Sequence, residues 1–348
     1  MNSHIIIYLD QNYLSNMAKA QIKSIKDKGQ AKFWYLLFND LKKAALTDKI
    51  VCPESEFHLI EAKYNKRLCE PIQQIIETLS GGLQLCPWKS VLESQVKDSA
   101  RQFLGKKPEK RENWSIAFMS DPHSKYIDRI KDIQSGELRK YIHPTLTSDD
   151  IDHDRQLKLR FSEKAKIMLE EYSRKPLGWA ELLLESKKSV IDGFMGKYAE
   201  QSIYAKLDSS YPLKDKLIAA LNYIRLKNFW DCIHLIGINP KDYDSVNKFV
   251  RSTALLDSPF IDINASIQAA IAELYLQGRK PQKGDFYDVP ILSVVLPYCN
   301  VVTTDIFMKE ILVKRLHFDD KYNVKIFSAS QKDRTAFQKL IRELLSDT

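Results

Sequence analysis

Short apolar runs and longer amphipathic stretches alternate at both ends of this chain. His4–Leu9 (HIIIYL) and Cys299–Thr304 (CNVVTT) are short, apolar and rich in β-branched residues, which is typical of strands buried in a parallel sheet. Ala31–Leu46 carries apolar residues at helical spacing instead, and the apolar run Val289–Leu296 predicts a buried helix. Both ends of the chain therefore predict an α/β fold.

Further runs complete the predicted sheet. Shorter apolar runs predict strands at Lys49–Cys52, Leu83–Cys86 and Val324–Ser328. Helical spacing predicts helices around Glu61 and at Glu70–Leu79, Pro259–Leu276, Phe307–Lys314 and Asp333–Leu345. Because strands and helices alternate, we predict a doubly wound parallel sheet of about five strands with helices on both faces.

The middle of the chain has a different pattern. Strand-like runs almost vanish, and long amphipathic stretches predict helices at Asp150–Tyr172, Leu182–Leu207, Leu213–Leu235 and Tyr243–Leu256. The simplest interpretation is an all-helical insertion lobe between two halves of the α/β domain. We therefore predict an N-terminal half at residues 1–95, the insertion at 96–258 and a C-terminal half at 259–348.

Composition narrows the class of protein. The 348 residues are 44% hydrophobic and 28% charged, as in soluble globular proteins. No apolar run approaches the ~18 residues of a membrane-spanning helix, so we expect no membrane association and a cytoplasmic location. The five cysteines form no close pair, which argues against a zinc knuckle or a disulfide framework. The net charge of +8 favours an anionic partner.

Acidic residues follow the predicted strands and open one predicted helix. Asp10 comes directly after the first strand and Asp305 directly after Thr304, while Asp285 and Asp288 lie three residues apart on one helical face. Ligands of open α/β sheets bind outside the carboxyl ends of the strands. We therefore expect these acids to face one site.

One further acid and three polar residues belong to the same hypothesis. Glu61 lies two turns into the helix that follows the second strand, and His58 lies on the same helical face. We predict that Asn12, His58 and Thr304 make hydrogen bonds to the acidic side chains. For His58, contact with a phosphate and simple packing within the helix are open alternatives.

The order of these acids along the chain resembles that of the PIN-domain nucleases, the fold of VapC-type toxins. The resemblance implies a parallel sheet with helices on both faces and Mg²⁺- or Mn²⁺-dependent hydrolysis of a nucleic-acid phosphodiester bond. It implies catalytic roles for Asp10, Glu61, Asp285, Asp288 and Asp305, and metal binding by all of these except Asp285. A minimal PIN domain has far fewer residues between the Glu61 and Asp285 helices, and this departure bears on substrate and regulation.

Converging carboxylates need a counter-charge for a physical reason as well. Two carboxylates at ~4 Å repel each other by roughly 4 kcal/mol at an effective dielectric constant of 20. They must either take up protons or bind cations, and hard oxygen ligands suit Mg²⁺ or Mn²⁺. Such an ion would activate a water for hydrolysis, so that the chemistry needs no nucleophile from the protein.

A basic cluster is the predicted nucleic-acid-binding surface. Lys106, Lys107, Lys110 and Arg111 stand close together, and Trp88 and other aromatic residues lie near them in the sequence. Basic residues interleaved with aromatic ones bind phosphates and stack on bases. Solvated helix faces and ordinary core aromatics give the same pattern, so both interpretations stay open.

Three functions fit these residues. The leading hypothesis is a metal-dependent endoribonuclease, with RNA favoured over DNA, that acts as a toxin, a defence effector or a processing enzyme. An inhibitor or regulator protein and an oligomer are compatible with it. The second is a catalytically silent PIN-like module that binds nucleic acid or protein. The third is a phosphatase with an aspartyl nucleophile, although that chemistry usually wants a second Asp where this chain has Asn12.

Overall fold

The computed structural model describes residues 4–107, 109–135, 170, 178–189, 233–239, 242–280, 282, 285 and 288–346 of the chain. The chain divides into two compact units. The first, which we call the sheet unit, consists of Met1–Pro87, Glu112–Ile167 and Pro281–Thr348. The second, the helical unit, consists of Trp88–Arg111 and Met168–Lys280.

A parallel sheet forms the centre of the sheet unit, as predicted. Its strands are β1 (Ile5–Tyr8), β2 (Ile50–Val51), β3 (Val301–Thr304) and β4 (Lys325–Ser328), in the spatial order β2-β1-β3-β4. All neighbouring pairs are parallel. The two ends of the chain therefore meet in one sheet, with β1 directly beside β3.

The sheet has four strands among the described residues, whereas about five were predicted. Leu83–Cys86, the additional predicted strand, makes only isolated bridges, from Gln84 to Glu54 and from Leu85 to Phe118. The chain turns immediately before this segment, at Gly81 and the following glycine, which both have positive φ. Only Gln84 and Leu85 pair with other segments, each through a single bridge to a different partner, so that no regular strand forms.

Helices account for most of the remaining described residues. In chain order they are α1 (Gln11–Gln21), α2 (Lys28–Leu46), α3 (Glu56–Tyr64), α4 (Lys66–Ser80), α5 (Trp88–Phe103), α6 (Tyr126–Ser135), α7 (Tyr243–Val250), α8 (Thr253–Leu256), α9 (Pro259–Leu276), α10 (Val289–Val295), α11 (Ile306–Lys309), α12 (Phe318–Lys321) and α13 (Gln331–Ser346). A 3-10 helix spans Asn113–Ile116, and a π-helix, Glu310–Arg315, continues α11. Residues 179–189 and 233–236 are also helical. No described helix is both long enough and apolar enough to cross a membrane.

Both faces of the sheet are buried. On one face, Ile7 and Val301 belong to an apolar core shared with α1, α2, α4 and α13. The buried ring of Tyr13 lies edge-on to Trp34 and to Phe337, with centroid distances of 5.3 and 5.6 Å. On the other face, alternation along the strands buries residues such as Tyr8 and Val302. Burial on both faces explains why the strands are almost continuously apolar.

The helical unit has a core of its own, as the predicted insertion requires. Val96 of α5, Phe249 of α7 and Ile261 of α9 belong to one apolar cluster, and the rings of Trp88 and Phe260 stack at 5.9 Å. The predicted helix Tyr243–Leu256 is interrupted, because Ser252 caps α8 by accepting a hydrogen bond from the Leu255 N–H.

Some predictions about the insertion lie beyond the described residues. Of Asp150–Tyr172, Leu182–Leu207 and Leu213–Leu235, only residues 170, 182–189 and 233–235 are described, and these are helical. The unit boundaries also differ from the predicted domains, because α9 lies in the helical unit and Glu112–Ile167 in the sheet unit. The domain boundaries at 95/96 and 258/259 stay a prediction.

Candidate acidic site at the carboxyl edge of the sheet

Thr303 ties the end of β1 to β3. The Asp10 N–H donates to Thr303 Oγ1 at 2.7 Å, and the same hydroxyl donates to the Tyr8 carbonyl oxygen at 3.3 Å. Tyr8 is paired with Val302 in the parallel register. Asp10 and Asp305 therefore follow neighbouring strands at one edge of the sheet, the edge at which ligands of such sheets bind.

Asp10 and Asp305 each cap a helix. Asp10 Oδ2 accepts a hydrogen bond from the Asn12 N–H at 3.1 Å, and Asp305 Oδ1 accepts one from the Met308 N–H at 2.6 Å. The two oxygens of a carboxylate together have about four acceptor sites, so a capping hydrogen bond does not use all of them. Both residues are half-buried. The capping role is therefore compatible with a second role toward a ligand.

The negative charges at this edge act on one another. Burial and, to a smaller extent, the charge of Asp305 raise the pKa of Asp10 to about 6, although hydrogen bonds from Asn12 and the Gln11 backbone act to lower it. Burial also raises the pKa of the neighbouring Tyr8 well above its ordinary value.

The surroundings of Tyr8 connect the other predicted acids to the site. After burial, the causes that raise the pKa of its hydroxyl are the negative charges of Asp10, Glu61 and Asp288, in that order. Glu61 lies on α3 and Asp288 precedes α10, and both are partly exposed. Four acids from four segments of the chain thus contribute charge to one region around Tyr8 and Asp10.

Asp285 and Asp288 have different surroundings. Asp285 is buried, and its Oδ2 accepts a hydrogen bond from the Gln282 N–H at 2.8 Å, so that its carboxylate stabilises the turn before α10. Asp288 occupies the N-cap position of α10, yet its side chain makes no capping hydrogen bond. The charge of Asp288 is one of the causes that raise the pKa of Tyr8.

His58 is a packed, neutral histidine. Its Nδ1 accepts a hydrogen bond from the Ser55 N–H at 3.3 Å, which places the ring proton on Nε2, and Nε2 donates to the Leu9 carbonyl oxygen at 2.7 Å. The ring stacks on Tyr8 with a centroid distance of 5.1 Å. Burial lowers the pKa of His58 to about 4. His58 therefore fixes the backbone directly before Asp10.

The sequence analysis did not single out Thr303, which contacts the site, or Asp333, which lies beyond β4. Thr303 makes the contacts to Asp10 and Tyr8, whereas the predicted Thr304 is buried on the opposite side of β3 by strand alternation. Only the strand register distinguishes these two threonines. Beyond β4, Asp333 accepts a hydrogen bond from Lys309 Nζ at 2.7 Å, a contact for which the sequence pattern carries no indication.

The chemistry of this donor set suits a hard cation. Among the described residues, no group of three or more His, Cys, Asp and Glu side chains lies close enough together to form a ready-made metal site. Mg²⁺, however, usually takes one or two carboxylates together with waters and substrate phosphate. Asp10 and Asp305 supply such a pair of oxygen donors, and the charge of Asp305 is, after burial, one of the causes that raise the pKa of Asp10.

The predicted basic cluster lies in the helical unit, and its four residues have two kinds of surroundings. Arg111 is paired with Asp98 and lies 3.5 Å from Glu109, and Lys106 Nζ donates to the Ile236 carbonyl oxygen. Lys107 and Lys110 are exposed. Two of the four cations thus take part in contacts within the unit.

Comparisons of this chain with protein-family models, with curated proteins and with solved structures found no match.

Proposed function

We propose that this chain is a metal-dependent nuclease of the PIN type that hydrolyses phosphodiester bonds, with RNA favoured over DNA. The observation that carries the proposal is the position of Asp10 and Asp305 after neighbouring parallel strands, locked together by the Thr303 hydroxyl. The charges of Glu61 and Asp288 add to that of Asp10 around Tyr8. Such a concentration of acids is the pattern expected of a cation site.

Asp10 and Asp305 would hold Mg²⁺ or Mn²⁺, with Glu61 and Asp288 completing the acidic surroundings. A bound ion would polarise the phosphoryl oxygen and lower the pKa of an attacking water. The protein's part is to keep the acids in position. Thr303 bonds to the backbone on both sides of Leu9, His58 bonds to the Leu9 carbonyl oxygen, and the Asp285 carboxylate bonds to the Gln282 N–H.

Several finer predictions belong to this proposal. They are a PIN-like topology with a fifth strand, a cytoplasmic location, and control by an inhibitor or regulator protein. The exposed Lys107 and Lys110 support a role for the helical unit in binding nucleic acid, since phosphate contacts require lysines that are accessible to the ligand.

Cleavage assays with a range of substrates test the proposal. Purified protein is incubated with labelled single-stranded RNA, transfer RNA, and single- and double-stranded DNA, each in Mn²⁺, Mg²⁺ or EDTA. We expect cleavage of RNA with either metal and none in EDTA. Binding without cleavage of any substrate would instead favour the catalytically silent module, and release of phosphate from monoesters alone would favour the phosphatase.

A further inference from the structure

The carboxyl end of β4 carries an ion pair that the proposed chemistry has not used. Asp333, in the first turn of α13, accepts a hydrogen bond from Lys309 Nζ at 2.7 Å through Oδ1. Its Oδ2 accepts hydrogen bonds from the Ser328 N–H, at 3.0 Å, and from the Ser328 hydroxyl. Ser328 lies opposite Thr304 in the β3–β4 register, and Thr304 directly precedes Asp305. The ion pair is therefore held at the same edge as the acidic site.

Tyr13 connects this ion pair to the acids. Its buried hydroxyl donates to the Ser328 carbonyl oxygen at 2.7 Å. After burial, the negative charges of Asp333 and Asp10 are the causes that raise the pKa of Tyr13. Tyr13 thus bonds to the end of β4 and lies within electrostatic reach of both aspartates.

Lys309 is placed to meet an anion at this edge. It lies one turn after Asp305 in α11, and its N–H donates to the Asp305 carbonyl oxygen at 3.1 Å. The side chain is 26% exposed, and that of Asp333 is 15% exposed. An ammonium group has three donors, and the bond to Asp333 uses one. Asp333 therefore restricts the position of the Lys309 ammonium group.

We propose that Lys309 contacts a phosphate of the nucleic-acid substrate beside the acidic site, and that Asp333 is a positioning residue that holds the Lys309 ammonium there. This inference rests on the proposed function. The acids alone repel a polyanion, so an adjacent fixed cation serves both to attract the phosphate and to stabilise its charge. The contact would extend the site across β3 to β4.

Binding measurements with a matched control test the role of Lys309. The probe is a fluorescein-labelled short single-stranded RNA of mixed sequence, bound in EDTA so that cleavage cannot occur. Lys309→Met is compared with Lys314→Met, which removes the same charge from the same helical segment at an exposed site. We expect Lys309→Met to weaken binding about tenfold and Lys309→Arg to restore most of it. Lys314→Met should bind like the wild type.

Asp333→Asn tests whether Asp333 holds Lys309 in position or only offsets its positive charge. If Asp333 merely screened the lysine, its neutralisation would strengthen binding of a polyanion. Positioning predicts weaker binding instead, and a double variant, Lys309→Met with Asp333→Asn, no weaker than Lys309→Met alone. Thermal unfolding of each variant shows that it is folded.

The outcomes separate this inference from the proposed function. Equal binding by the two Lys→Met variants, or tighter binding by Asp333→Asn, would overturn the inference whatever the cleavage assays give. No metal-dependent cleavage by the wild type, together with RNA binding that is weakened by Lys309→Met and Asp333→Asn and not by Lys314→Met, would instead overturn the nuclease and leave the phosphate contact standing. Failure of the wild type to bind the RNA would overturn both.

Discussion

Two aspartates at the same edge of the sheet have opposite electrostatic surroundings. Burial and the charge of Asp305 raise the pKa of Asp10 to about 6. Burial would also raise the pKa of Asp333, but hydrogen bonds from Lys309 and Ser328 outweigh it and lower that pKa. Both carboxylates also accept a backbone N–H. Burial acts to raise the pKa of both acids, and only Asp333 has a neighbouring cation and hydroxyl group that reverse this effect.

The largest expected effect comes from removing the charges that need a cation. Asp10→Asn and Asp305→Asn should each lower metal-dependent cleavage by roughly a thousandfold, because a ligand that fixes the reacting charges is removed. Without metal, the thermal stability of both variants should be unchanged or higher, since repulsion between the two carboxylates disappears. Cleavage rates with Mn²⁺ and unfolding in EDTA measure the two effects.

A second helix cap provides the control for these variants. Asp27 caps α2 as Asp10 caps α1, accepting the Gln30 N–H at 2.9 Å, and it is exposed. Because Asn is as good a cap as Asp, Asp27→Asn should change neither stability nor cleavage. Full cleavage activity in Asp10→Asn and Asp305→Asn would refute the site.

His58 adds a group that must stay uncharged at this edge. Its pKa is lowered from 6.5 to about 4, so the unfolded state binds the additional proton between these values. Stability should therefore be complete above pH 6.5 and fall by about 3 kcal/mol as the pH decreases to about 4. Denaturant unfolding across this range, compared between wild type and His58→Gln, isolates the contribution of His58.

The comparison of wild type with His58→Gln needs a control variant that also replaces a histidine by glutamine, at a position away from the acidic site. His317→Gln, at an exposed residue, serves this purpose. If wild type and His58→Gln lost stability in parallel as the pH falls, the histidine would be charged in the folded protein, and its hydrogen bonds to the backbone would have to be reassigned.

Neutralising Asp333, the aspartate that is already paired with a lysine, should destabilise the protein, whereas neutralising Asp10 in the absence of metal should not. Asp333→Asn should lower the free energy of unfolding by about 1–2 kcal/mol, because the carboxylate bonds both Lys309 and Ser328. The loss should shrink in high salt, which screens the ion pair in the wild type. Asp10→Asn in EDTA is the matched variant, and destabilisation of both by the same amount would contradict the contrast between the two acids.

The alternation of strands and helices could be predicted from the sequence, because strands that are buried on both faces of a sheet are apolar at every position. Runs such as those around Ile7 and Val301 are therefore continuously apolar and hard to mistake. Helix starts were less readable. Helical spacing predicted a helix at Glu70–Leu79, whereas α4 begins one turn earlier, at Lys66, and includes Pro71.

The candidate site was only partly predictable for a related reason. Acids at strand ends follow from sequence order, as Asp10 and Asp305 do. The ion pair of Lys309 with Asp333 and the choice of Thr303 over its neighbour depend on strand register and on where β4 ends relative to β3. Those quantities are set by long-range packing, which a single sequence does not display.

The smallest expected effect is the change in RNA binding when the basic cluster is altered. This cluster, too, contains both a charge that is paired within the protein and charges that are exposed. Arg111 is occupied by Asp98 and Glu109, whereas Lys107 and Lys110 are exposed. Lys107→Gln with Lys110→Gln should therefore weaken RNA binding modestly. The slope of log affinity against log salt should fall by about 0.7 for each phosphate that the variant no longer binds. The metal requirement for cleavage should not change.

The control for that variant removes the same charge elsewhere. Lys42 and Lys43, both exposed on α2, are replaced by Gln, and this variant should keep the wild-type slope. Arg111→Gln should instead lower stability with little change in slope, because it breaks an ion pair within the protein and leaves phosphate binding intact. If the two double variants gave the same slope, Lys107 and Lys110 would be ordinary solvated lysines, and the nucleic-acid surface would lie elsewhere.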